Sequence, residues 1–200
     1  SWNIKLGHEY ARLIKETSPE TITIFGGPNF PATPEEQEEF LKKHPEIDAY
    51  VEFEGEKSFV SLIDALKKLD FDWKEFKKQR TIVPNLRYLV DDKIIVCELG
   101  PRVKDMGMLP SPYLNGMMDK FFDDILIPMI QTTRGCPFTC SFCWEGGDFF
   151  RKTNRFSQDR ITNELQYIAD RVKVTDLQIV DANFGMFKED IETAKEAKAL

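Results

Sequence analysis

The sequence predicts an α/β protein built from two successive strand–helix alternations. Three observations predict it. Short β-branched or apolar runs at residues 21–25, 49–53, 125–132 and 177–181 are each followed by a stretch with helical apolar spacing. A proline-bearing stretch, Gly100–Gly116 with Pro101, Pro110 and Pro112, separates the first alternation from the second. Strand–helix–strand–helix order implies parallel pairing through right-handed crossovers. On this reading residues 1–99 form a first domain with a hairpin extension, 100–124 a connector and 125–200 a second domain.

Each element has its own signal. Glu9–Glu16 reads as the end of a helix with Tyr10, Leu13 and Ile14 on one face. Thr21–Phe25 is a strand that ends in a tight turn at Gly26-Gly27-Pro28. Thr33-Pro34-Glu35-Glu36 starts a helix: Thr33 caps it, Pro34 takes the first turn and Glu36 completes a capping box. That helix runs to about Lys43 and stops before Pro45. Ala49–Phe53 is the next strand, and Glu54-Gly55-Glu56 turns the chain into a helix with Phe59, Ile63, Leu66 and Leu69 in one stripe. Trp73–Lys78 is a short helix, and Leu86–Val90 and Ile94–Glu98 form a hairpin around Asp91-Asp92-Lys93. In the second half Ile125–Thr132 is an apolar strand. Ser157 caps a helix to about Val172, with Ile161, Leu165, Ile168 and Val172 inward. Leu177–Asp181 is a further strand, and a helix begins at Lys188.

Composition limits the partners. The chain has 200 residues, 42% of them hydrophobic, a net charge of −7 and a pI near 5.0. That acidity argues against nucleic acid as a partner. The local basic run Lys74–Arg80 contains Glu75 and Phe76 and reads as a solvated helix face. No apolar run reaches the ~18 residues a membrane span needs, and no signal peptide is visible. The chain opens on Ser1 and stops inside the helix-forming stretch Lys188–Leu200 with no stop signal, which reads as a piece of a longer chain.

The chemistry concentrates in Arg134-Gly135-Cys136-Pro137-Phe138-Thr139-Cys140-Ser141-Phe142-Cys143, a C-x3-C-x2-C run. Three thiolates so close can hold three corners of a 4Fe–4S cluster and leave the fourth iron open to a ligand. Thiolates also select zinc, and inert thiols are a third reading. Structural zinc takes four ligands, whereas the chain's two histidines, His8 and His44, lie far upstream. The fourth cysteine, Cys97, sits in an alternating apolar stretch and reads as a buried small hydrophobe. An electron carrier would need it as a fourth ligand, so Cys97→Ser is expected to leave metal loading intact, measured as iron per chain. Clustered reduced cysteines fit a reducing, anaerobic cytoplasm.

The cysteine run, with Phe142 before the third cysteine, resembles the C-x3-C-x-aromatic-C signature of the radical S-adenosylmethionine (SAM) superfamily. Two further segments resemble its cobalamin-binding-domain subclass: Pro110–Gly116 with Asp119–Phe122 running into Pro128–Cys136, and Gly26-Gly27-Pro28 with Pro34-Glu35-Glu36 and Glu54-Gly55-Glu56. Ser1-Trp2-Asn3 resembles a stretch midway through that domain.

The resemblance implies the C-terminal half of a Rossmann-like cobalamin domain, followed by the first two βα units of a partial TIM barrel. It implies that Cys136, Cys140 and Cys143 hold the cluster and that the open iron binds SAM. An electron then cleaves the sulfonium and releases a 5′-deoxyadenosyl radical. The backbone beside Phe142 is implied to contact adenine, and Asp181 or Asn183, where many members have Gly-Gly-Glu, to accept from the SAM ammonium. Gly26, Gly27, Glu54, Gly55 and Glu56 are implied to line the cobalamin face. The D-x-H-x-x-G element that supplies a lower-face histidine in many cobalamin domains is absent. Arg151, Lys152 and Arg155 follow the cluster loop and read either as anion partners or as a solvated face. The implied activity is radical SAM chemistry, with C-methyl transfer or a non-methylating rearrangement as outcomes. A reductant such as flavodoxin or ferredoxin and a small-molecule or peptide substrate are implied partners. At about 31 residues per unit, residues 126–200 supply roughly two barrel units.

Overall fold

The structure, a computed structural model, describes residues 3–123 and 125–200, and the chain divides into two units after Arg102. Ser1 and Trp2, part of one resembling segment, lie outside the described residues.

In the first unit, β1 (Ile24–Gly26) pairs in parallel with β2 (Ala49–Val51), Phe25 opposite Tyr50. β3 (Leu86–Val90) pairs antiparallel with β2 and forms a hairpin with β4 (Lys93–Val96), giving the order β1-β2-β3-β4. The hairpin loop is two residues, not three. Asp91 and Asp92 both take positive φ, 49° and 57°, the mirror-image turn that matches strand twist. Strand alternation sends β2 residues to opposite faces. Ala49 and Val51 join Leu62, Leu66, Phe76, Leu86 and Tyr88, while Tyr50 joins Phe30, Leu41 and Ile47. Cys97 is 1% exposed within the first of these cores, and burial raises its thiol pKa.

Four helices flank this sheet: α1 (Ile4–Thr17), α2 (Pro34–Lys43), α3 (Glu56–Lys67) and α4 (Trp73–Lys78). Thr33 caps α2, its hydroxyl accepting from the Glu36 N–H at 3.3 Å and donating to the Glu36 carboxylate at 3.0 Å. One expected face is corrected, and another is placed. α3 turns Ser58, Leu62 and Leu66 inward and leaves Phe59 exposed, because the sheet meets the helix one residue away from the predicted stripe. α1 buries only Ala11, and Tyr10, Leu13 and Ile14 face outward.

In the second unit, β5 (Met129–Ile130) and β8 (Gln178–Ile179) pair in parallel. Between them runs α5 (Gln158–Ala169), capped by Ser157, which accepts from the Arg160 N–H; α6 (Lys188–Ala199) follows β8. The predicted strand 125–132 contracts to two residues, and Ile125, Leu126 and Ile127 stand exposed. A short antiparallel ribbon that the sequence did not suggest joins β6 (Thr133–Arg134) to β7 (Asn154–Arg155). Val103, Met106 and Tyr113, from the proline-bearing stretch, pack with Ile130, Phe156, Ile161, Leu165 and Ile168. The Tyr113 hydroxyl donates to the Met129 carbonyl at 2.8 Å and accepts the Met129 N–H, fixing the start of β5.

Asp190 anchors the start of α6. It is 1% exposed and accepts from the Gly185 and Phe187 N–H groups at 2.8 and 3.0 Å, and from Arg155 at 2.6 Å. Burial opposes its ionisation, but the two N–H groups and the guanidinium outweigh burial and hold the carboxyl below its ordinary 3.8. A depressed folded pKa adds stability above pH 3.8 that is lost as pH falls through the folded value. Urea midpoints measured down through pH 3.8 are therefore expected to fall less in Asp190→Asn than in the parent. Equal slopes would contradict this. Among the described residues no helix is long and apolar enough to cross a membrane.

Candidate functional site

The three clustered cysteines lie in a loop whose two ends are held together by the β6–β7 ribbon. β5 ends at Ile130, the chain passes through Thr132 into β6, and the loop returns at β7. The Cys136 N–H donates to the Phe150 carbonyl at 2.9 Å, a second tie across the base of the loop. Gly135, just before the first cysteine, has φ 107°, a conformation glycine adopts without steric cost. Two consecutive turns then wind the tip. The Cys143 N–H donates to the Cys140 carbonyl at 3.1 Å, and the Gly146 N–H to the Cys143 carbonyl at 3.0 Å. This winding brings the Gly146 backbone onto Cys140: a Cβ on Gly146 would stand 2.3 Å from the Cys140 carbonyl oxygen. Cys136 is buried at 8% exposure, while Cys140 and Cys143 are exposed, and none of the thiols is in a disulfide. Phe142 is 91% exposed, so it packs against nothing in this chain that would bury it.

The β8 end meets this loop through two side chains. Asn183 Nδ2 lies 2.9 Å from Cys136 Sγ, a hydrogen bond to a candidate ligand sulfur. Asp181 is placed differently from the expectation. Its carboxylate accepts from the backbone N–H groups of Thr132 and Thr133 at 2.7 and 3.1 Å, and from both threonine hydroxyls. Each carboxylate oxygen takes two donors, which fills its usual capacity. Asp181 thus pins the end of β8 to the chain leaving β5, and Asn183 is left as the residue of this pair that faces the cysteines. Arg155 is likewise engaged, with Asp190, and Arg151 pairs with Asp148 at 3.0 Å on the surface. The sequence offered no signal for Thr132 and Thr133 as the partners of Asp181, because their meeting depends on the parallel β5–β8 register.

In the first unit, the loops after β1 and β2 lie side by side because those strands are parallel neighbours. A cleft of about 400 Å³ opens at the β1 end, lined by Gly26, Gly27 and Asn29, with Gly7 from α1 and Tyr50 beneath. The Tyr50 hydroxyl donates to the Gly27 carbonyl at 3.0 Å, and Tyr50 stacks on Phe30 at 3.9 Å between ring centres. Burial raises the Tyr50 phenol to about 12, so it stays a hydrogen-bond donor at neutral pH. Gly27 has φ 96° and open space where a side chain would go, while a Cβ on Gly26 would press the Val51 carbonyl at 3.3 Å. Glu54, Gly55 and Glu56 follow β2 on the same side, but the Glu54 carboxylate is 8% exposed and bound to Arg102 at 3.0 Å. Gly55 is the N-cap of α3 and Glu56 its first residue, exposed in the first turn. The glycines therefore shape the cleft, and Glu54 braces the end of the first unit.

No family model matches the chain. It is 32% identical to the cobalamin-dependent radical SAM methyltransferase TokK of Streptomyces tokunonensis, across 96% of this chain and 28% of that protein. It is 31% identical to the 2-(S-pantetheinyl)-carbapenam-3-carboxylate methyltransferase of Streptantibioticus cattleyicolor, across 97% of this chain and 28% of that one. In fold it matches the cobalamin-dependent SAM radical enzyme OxsB, solved with aqua-cobalamin and SAM bound. The TM-score is 0.66 at 21% identity, over 98% of this chain and 26% of OxsB. The chain thus spans between a quarter and a third of the length of these proteins. Over nearly its whole length the chain is thus similar in sequence to the cobalamin-dependent radical SAM methyltransferase TokK, and its α/β fold is that of the matching OxsB segment.

Proposed function

We propose that this chain carries the cluster-binding part of a cobalamin-dependent radical SAM methyltransferase. Cys136, Cys140 and Cys143 hold a 4Fe–4S cluster, and the cleft at Gly26-Gly27 takes an edge of cobalamin. The observation that carries the reading is the cysteine loop itself. Three thiols share one loop at a strand end, closed at its base, with an amide N–H from the neighbouring strand end already on the first sulfur. The donor set fits the group: three soft thiolates leave one iron without a protein ligand. When bound, the cluster supplies the electron that breaks the SAM sulfonium, and cobalamin supplies the methyl group.

The chain's own residues bind and orient. Cys136 anchors the buried side of the site, and Asn183 sets its sulfur's electrostatics. The exposed Cys140–Cys143 tip presents the two remaining thiols and Phe142 to the space above. Asp181 keeps the strand ends in register, and Gly26 and Gly27 let a bulky ligand approach the backbone. Anaerobic reconstitution with iron and sulfide, followed by dithionite and SAM, tests the proposal. Expected are one 4Fe–4S cluster per chain and release of 5′-deoxyadenosine, both abolished by Cys140→Ala. A colourless protein holding one zinc per chain would overturn it.

Asn183 gives an independent check. An N–H bonded to a ligand sulfur stabilises the charge added on reduction, and such bonds help set cluster potentials. Asn183→Ala is expected to shift the cluster midpoint to more negative potential, read by a redox titration followed by electron paramagnetic resonance. An unchanged midpoint would remove Asn183 from the site.

A further inference from the structure

The chain's two histidines, far apart in sequence, converge on one carboxylate. His8 Nδ1 lies 2.6 Å from Glu46 Oε1, and His44 Nδ1 lies 3.1 Å from the same oxygen. The two imidazoles are 4.2 Å apart between ring centres, and the ligand atoms of the three residues all lie within 4.8 Å of one another. None of this geometry is local. His8 sits in the second turn of α1, His44 is the C-cap of α2, and Glu46 lies in the turn before β2.

We infer that His8, His44 and Glu46 form a binding site for a divalent transition-metal ion of the zinc type. Two imidazoles and a carboxylate are the His2Glu donor set that zinc accepts with one position left for water. Bond lengths near 2.0–2.2 Å in a tetrahedral site put ligand atoms about 3.3 Å apart. The 2.6 and 3.1 Å contacts both fall short of that by less than an ångström, so a cation enters with small outward adjustments. Without a metal, one oxygen must accept from both rings, which requires a proton on each Nδ1. A cation makes the same links, with each ring's proton carried on Nε2 instead.

The surroundings are those of a built site. All three side chains are largely shielded, at 17%, 33% and 15% exposure. Phe40 packs on both imidazoles, at 6.1 Å from His8 and 4.6 Å from His44, and Phe25 packs on His8 at 5.2 Å. This apolar wall limits water access and strengthens the metal–ligand attraction. The Glu46 backbone is held in place by Thr23, whose hydroxyl donates to the Glu46 carbonyl at 2.5 Å. Because α1 buries only Ala11, polar pins carry its attachment, and the cation acts as a clamp joining α1 to the α2–β2 connection.

The test uses the protein with all three loop cysteines replaced by serine, so that no thiolate cluster takes metal. Zn²⁺ and Co²⁺ are titrated near neutral pH, by calorimetry and by visible absorption respectively. One equivalent of each is expected, with cobalt ligand-field bands but no sulfur-to-cobalt charge transfer. His8→Gln and His44→Gln are each expected to weaken binding about tenfold or more. Should a variant fold poorly, imidazole resonances of the histidine-intact protein decide the matter, and both rings are expected to shift on adding Zn²⁺. Failure to bind one equivalent, unaltered affinity in both folded variants, or imidazole resonances that Zn²⁺ leaves unmoved would each overturn the site.

Discussion

Replacing Gly146 by alanine is expected to keep the cysteine loop from taking up the proposed cluster while leaving the fold intact. The added methyl would stand 2.3 Å from the Cys140 carbonyl oxygen and 3.1 Å from the Cys140 nitrogen and carbonyl carbon. Overpacking costs about 1–3 kcal/mol even where flexible side chains yield. Here the obstacle is backbone, so the turn linking Cys140, Cys143 and Gly146 must open, and two of the three thiols move with it. A cost at the upper end of that range corresponds to roughly a hundredfold weaker cluster retention. Gly147→Ala is the matched control, because its Cβ would meet the Trp144 carbonyl at an ordinary 3.7 Å. Iron content after reconstitution reads the difference. Circular dichroism should be the same for both variants, since this tip is exposed and contributes little to the core. Equal iron in the two variants would show that the turn does not set the thiol positions.

Asp181→Ala is expected to act on stability and on the site together. The carboxylate takes four hydrogen bonds from Thr132 and Thr133, which are 0% and 4% exposed. Removing it leaves two buried N–H groups and two buried hydroxyls without that acceptor. Hydrogen bonds to charged groups contribute about 1.5–3 kcal/mol, and an orphaned buried donor costs about 1–3 kcal/mol. The bonds share one carboxylate and are not additive, so a loss of about 3–5 kcal/mol is expected from denaturant melts. Asp181→Asn keeps one acceptor oxygen and is expected to fall in between. A loss under about 1 kcal/mol for the alanine variant would mean that water replaces the carboxylate.

The comparison of sequence and structure follows the range of the interactions. Signals written within a few residues were legible: Thr33 and Ser157 as helix caps, Asp91 and Asp92 within the hairpin turn, and Cys97 as a core residue. The α5 stripe was legible in full, with Ile161, Leu165 and Ile168 buried, whereas the α3 stripe was legible in period but not in phase. Leu62 and Ser58 face the core where Phe59 was expected, since two adjacent faces of α3 carry apolar residues and only the sheet chooses between them. What stayed hidden required partners tens of residues apart. The β6–β7 ribbon joins two-residue strands across a loop too long to carry a hairpin signal. Asp181 reads as a free acceptor in sequence and becomes a brace only when β8 lies beside β5. His8 and His44 look unrelated until α1 and the end of α2 reach the same glutamate.

The ribbon at the foot of the cysteine loop also separates two design problems. Because Thr133 and Arg134 are zipped to Arg155 and Asn154, the chain between them has both ends tied at one place. A loop closed in this way tolerates growth: doubling its length costs only about 0.6 kcal/mol in closure entropy. Residues after Gly146 can therefore be lengthened, provided the Phe150 carbonyl still meets the Cys136 N–H, with little strain passed to β5, β8 or the first thiol. The cysteine end of the loop is held constant, and the stretch after Gly146 becomes ground on which new contacts can be tried.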